Sequence, residues 1–135
     1  MSLLNNKSEF NLEGAVVLID SSLYAPSVHC SYYAVFQKIK YLFVNYSNIT
    51  YDQLSHNIQN DKRNTHRYLI DEFCNLYLKK TENTFEYRKL HNEIKDLKTF
   101  REESDYEDLE INYSISTKAL EKSREILKKV NKEFK

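Results

Sequence analysis

Leu12, Val16, Ile19 and Leu23 recur at i, i+4, i+7 and i+11, a spacing that predicts an amphipathic helix over Ser8 to Tyr24 with Ser8 as its N-cap. Pro26 interrupts the pattern and suits the first turn of a second helix, which runs to about Tyr46 with Val28, Tyr32, Val35, Ile39 and Phe43 on one face. The polar stretch Asn45 to Thr50 predicts a loop. Tyr51 to Gln59 reads as a short helix that runs into the polar segment Asn57 to Thr65. The next helix spans about Thr65 to Lys80, with Leu69, Phe73 and Leu76 aligned. Lys79 and Lys80 sit in its last turn, where cations complement the helix dipole. Thr84 is a candidate N-cap for a further helix with the stripe Tyr87, Leu90, Ile94 and Leu97. Between Asp105 and Tyr113 the pattern lapses into an acidic segment holding Asp105, Glu107, Asp108 and Glu110. A last helix, about Ser116 to Lys132, turns Ala119, Ser123, Ile126 and Val130 inward and Lys118, Lys122, Arg124, Lys128 and Lys129 outward.

These segments predict an all-α fold, an up-and-down bundle of four to five helices forming one domain over residues 1–135. Composition supports this, because one glycine and one proline are too few for the tight turns of an all-β fold. Twenty Lys and Arg balance twenty Asp and Glu, so no global basic field exists to hold a long nucleic acid. Any such contact must come from a local patch. Cys30 and Cys74 lack CxxC spacing and read as reduced, buried thiols. No apolar run approaches the ~20 residues that span a bilayer. The segment Met1 to Phe10 lacks a hydrophobic signal core, so a soluble cytoplasmic protein without a membrane partner is expected.

Gly14 is the only glycine and falls within a helical pattern, which excludes a Gly-rich phosphate loop. His29, His56, His66 and His91 are scattered without an HExxH motif, so neither a metal nor a cofactor is expected. The sharpest basic cluster is Lys62, Arg63, His66 and Arg67, at a helix start whose free N–H groups favour a phosphate. The alternative for these four is a plainly solvated helix start. Tyr32 and Phe36 share a face and predict aromatic core packing, while Tyr33 points elsewhere. Arg101 and Asp105 stand at i and i+4, the spacing of an ion pair, with Tyr106 packed over the helix exit.

Tyr32-Tyr33-Ala34-Val35-Phe36, then His66-Arg67-Tyr68-Leu69-Ile70 with Phe73, then Arg101-Glu102-Glu103-Ser104-Asp105-Tyr106 occur in that order. In these motifs the chain resembles the HEPN family (higher eukaryotes and prokaryotes nucleotide-binding). It is similar to a small bacterial subgroup with Tyr-Tyr-Ala-x-Phe and Arg-Glu-x-x-Asp-Tyr motifs. The resemblance covers roughly residues 12 to 134 and implies a helical bundle that dimerises. Many members are metal-independent ribonucleases, and many are toxins encoded beside a nucleotidyltransferase antitoxin. In their active form an Arg is followed, four to six residues later, by a His at a dimer interface. Arg holds a phosphate bidentately and His moves the 2′-hydroxyl proton.

This chain departs from that pattern. Arg63 and His66, like Arg88 and His91, are separated by only two residues, and Cys30 and Gln37 stand where the subgroup commonly has Arg and His. The resemblance therefore implies a HEPN-like binding or regulatory module of a nucleotidyltransferase-linked toxin–antitoxin type system, with nucleotide or RNA contact. One alternative is a metal-independent endoribonuclease with a rearranged site drawn from Arg63, His66, Arg67 and Arg101. Another is a purely structural dimerisation domain. The expected partners are a second copy of the chain, a nucleotidyltransferase-type protein, and RNA or a nucleotide.

Overall fold

Short polar side chains set the starts of four helices in the computed structural model, which describes residues 3–106 and 109–134. Thr50 begins a helix with a capping box, accepting from the Gln53 amide while the Gln53 side chain accepts from the Thr50 amide. Asn64, Asn83 and Asn112 each accept a hydrogen bond from the amide three residues on. Among the described residues there are six helices and no strand: α1 (Leu3–Asp20), α2 (Tyr24–Ser47), α3 (Tyr51–Gln59), α4 (Thr65–Thr81), α5 (Thr84–Glu103) and α6 (Tyr113–Glu133). The expected all-helical bundle is present, and the short α3 brings the total to six.

The caps also move several boundaries. Asn83, not Thr84, caps α5, and Asn112 starts α6 ahead of Ser116. Asn48 ends α2 in the left-handed conformation (φ 55°), which leaves only a brief connection where Asn45 to Thr50 predicts a loop. The acidic residues Glu107 and Asp108 lie outside the described residues.

The largest correction concerns α1. It begins before Ser8, and Ser8 is buried inside it rather than capping it. Its buried residues are Ser8 and Ala15, while Leu23 lies beyond the helix and is 50% exposed. Small side chains let α1 and α2 approach closely, so the aliphatic stripe is only partly covered. The Ser8 hydroxyl donates to the Ala34 carbonyl, and the Ser27 hydroxyl donates to the Ala15 carbonyl at 3.1 Å. On the other side of α2, Ser123 of α6 donates to the Ser31 carbonyl at 2.8 Å. Each bond satisfies a hydroxyl that would otherwise be a costly buried polar group.

Helix α2 is central and packs on α1, α4, α5 and α6. Its Val28, Tyr32, Val35 and Ile39 are fully buried, as expected, against Leu69 and Phe73 of α4, Leu90, Ile94 and Leu97 of α5, and Ile126 and Val130 of α6. Phe43 and Leu76 are only half-buried. Phe134 closes one end of the core, with its ring 5.3 Å from Phe73 and 5.0 Å from Tyr46. Cys74 is buried as expected, whereas Cys30 is half-buried at the seam with α1. No helix among the described residues is long and apolar enough to cross a membrane.

Candidate functional site

Tyr32 and Phe36 stand one turn apart on α2, both buried, with their rings stacked at 5.8 Å. The Asn64 cap starts α4 so that His66, in its first turn, lies on this aromatic pair. The imidazole stacks on Phe36 at 4.2 Å and on Tyr32 at 5.6 Å. Its Nδ1 is 2.6 Å from the Tyr32 hydroxyl. Tyr33 does not point away from this group, since its ring meets Tyr32, Phe36 and His66 edge-on. The last turn of α5 supplies Arg101, whose guanidinium lies 5.6 Å from the ring centres of both Tyr32 and Tyr33.

Burial, then the Arg101 and Lys98 charges, hold the His66 imidazole below its ordinary pKa of 6.5, with Glu102 opposing them. Burial likewise pushes the Tyr32 phenol up, against the pull of Arg101. Both groups are therefore neutral at neutral pH. We assign the phenol as donor to Nδ1, which places the imidazole proton on Nε2. Among the described residues Arg101 forms no ion pair, and its buried Nε has no hydrogen-bond partner. A guanidinium and an imidazole N–H thus converge beside an aromatic wall. That combination suits an anionic oxygen with an unsaturated ring next to it.

The basic cluster at the start of α4 does not stay together. Arg63 is drawn to Asp61 at 2.9 Å, Glu72 at 3.3 Å and Asp71 at 3.4 Å, and its guanidinium covers the Tyr68 ring. In return Arg63 holds the Asp61 carboxyl down at about 2. Lys62 is exposed, and Arg67 is 69% exposed while reaching Asp71 at 3.7 Å. Of the four, only His66 enters the aromatic group. Asp105 does not pair with Arg101 in the structure. Helix α5 ends at Glu103, so the i,i+4 geometry stops short, and Asp105 instead contacts His29 Nε2 at 2.7 Å. Tyr106 is 58% exposed and does not pack over the helix exit.

Residues that the pattern of hydrophobic positions passes over lie next to this site. Lys95 and Lys98 precede Arg101 on α5, at a spacing that places them toward the same side of the helix. With Arg67, Asp71 and His91 they line a cleft of about 520 Å³ between α4 and α5. His91 Nε2 is 2.8 Å from Asp71 there. Among the described residues no group of three or more His, Cys, Asp or Glu side chains is arranged to hold a metal.

The profile of the HEPN domain family matches residues 1–133. No curated protein and no solved structure matches the chain.

Proposed function

This chain belongs to the HEPN domain family, and from that premise we propose that it is a HEPN-type binding or regulatory module that takes RNA or a nucleotide at Arg101 and His66. The observation that carries the reading is the meeting of Arg101, from the end of α5, and His66, from the start of α4, on the ring of Tyr32. The short Arg-to-His spacing of the family's active form is absent, yet tertiary packing brings an Arg and a His together. Arg101 supplies a forked donor for phosphate. His66, neutral and with Nδ1 accepting from Tyr32, offers Nε2–H as a second donor rather than a free base. That tautomer supports binding over cleavage. A second copy of the chain and a nucleotidyltransferase-type protein of a toxin–antitoxin system are the partners we propose with it.

Fluorescence anisotropy with a labelled single-stranded RNA, in chelator, tests the site. Arg101→Ala and His66→Ala are each expected to weaken binding at least about tenfold, the scale of one charge-assisted contact. Unchanged affinity in both variants removes the reading. The convergence of Arg101 with His66 also favours, as a second reading, a metal-independent endoribonuclease. Cleavage in chelator that vanishes in His66→Ala would put that activity first.

A further inference from the structure

The cleft between α4 and α5 is continuous with the Arg101–His66 site. Lys98 and Glu102 line it, and the charges of both act on His66. Arg67 follows His66 along α4, and Arg101 lies one turn beyond Lys98 on α5. Three cations, Arg67, Lys95 and Lys98, face two carboxylates in the cleft. The carboxylates are already engaged: Asp71 by His91 at 2.8 Å and Arg63 at 3.4 Å, and Glu102 by Lys98 at 3.4 Å. Lys95 is exposed and has no ion pair among the described residues. Ile70 is the one apolar side chain in the lining and no aromatic ring joins it, so the walls suit a sugar–phosphate rather than a stacked base. The volume falls within the roughly 300–1,000 Å³ typical of small-molecule sites.

We propose that this cleft holds the phosphate next along the strand from the one at Arg101 and His66, so that the ligand is a single-stranded oligoribonucleotide and not a mononucleotide. The proposal rests on the reading of Arg101 and His66 as a phosphate site. A flexible single strand can bend successive phosphates into neighbouring recesses of different depth, whereas a duplex presents its phosphates on a stiff, wide surface.

The test uses the full chain and a labelled oligouridylate of about twelve nucleotides, within the ~4–16 nucleotides that single-strand-binding folds cover. Competition by uridine 5′-monophosphate reads the Arg101 site alone. In Lys95→Ala/Lys98→Ala, checked for helicity by circular dichroism, oligomer affinity should fall about tenfold while the monophosphate competes as before. The slope of log affinity against log salt should shrink by about 1.4, or about 0.7 per lost phosphate contact on a single strand. Lys118→Ala, on α6 away from the cleft, should change neither. Oligomer binding that depends on Arg101 but is unmoved by the double substitution overturns the proposal and leaves the Arg101–His66 reading standing. An equal loss in Lys118→Ala, or equal affinity for duplex RNA, also overturns it. Oligomer binding indifferent to both Arg101→Ala and the double substitution removes the two together.

Discussion

At the scale of single residues, His66 concentrates the energetics of the site. Its folded-state pKa lies below the ordinary 6.5, so as pH falls the unfolded chain takes up the proton first. The stability it contributes is complete above pH 6.5 and is lost as pH drops toward the folded value. The stability difference between wild type and His66→Asn should therefore narrow as pH falls from 7 to 5, read by denaturant titration at each pH. A difference that widens would contradict the depressed pKa. Phe36, under the imidazole, is 8% exposed, and Phe36→Ala should cost about 3–5 kcal/mol as a large-to-small core substitution. A denaturant midpoint near wild type would show that it does not support the core. Much of this was legible in the sequence, since large rings one turn apart on an aliphatic face announce a core stripe. The identity of the cation was less so. Lys62, Arg63 and Arg67 flank His66 in sequence, but Asp61, Asp71 and Glu72 gather Arg63 locally. Arg101 arrives through packing of a distant helix, which no local spacing encodes.

At the scale of elements, capping and close approach decide what the pattern of large apolar residues leaves open. The Asn64 side chain accepts from the Arg67 amide at 2.9 Å, which fixes the turn carrying His66. Asn64→Ala should lower stability by about 1 kcal/mol, the usual worth of an N-cap, and Asn64→Asp should restore it. Thermal unfolding of the pair checks both. Helix α1 was the least legible element, because its buried face is made of serine, alanine and partly covered aliphatics rather than a run of large side chains. Gly14 sits within that helix, and a methyl group added there would lie 3.7 Å from Cys30 Sγ, an ordinary contact. Gly14→Ala should stabilise the protein by about 0.5–1 kcal/mol through helix propensity. Loss of stability would mean that the α1–α2 seam is tighter than this spacing allows.

At the scale of the whole molecule, α2 links the packing of α1, α4, α5 and α6, so the bundle should open as one unit. The two thiols report on this. Cys74 is fully buried and its thiol is pushed up to about 12 by burial and Asp71, whereas Cys30 is half-buried. A disulfide reagent should modify Cys30 in the native protein and reach Cys74 only at the rate of global unfolding. Equal rates would reveal a looser α4. Zero net charge was legible at once, and so was the need for a local patch, but the cleft that gathers Arg67, Lys95 and Lys98 exists only once α4 and α5 pack. Tyr32 lies at the same junction: its ring is wholly enclosed, yet its face supports Arg101. A lineage that repacks this part of the interior alters its recognition surface in the same step. One that retunes recognition must keep the interior filled. Adaptation at this position has to travel through compensating pairs, and drift in the core is visible to selection as drift in what the protein holds.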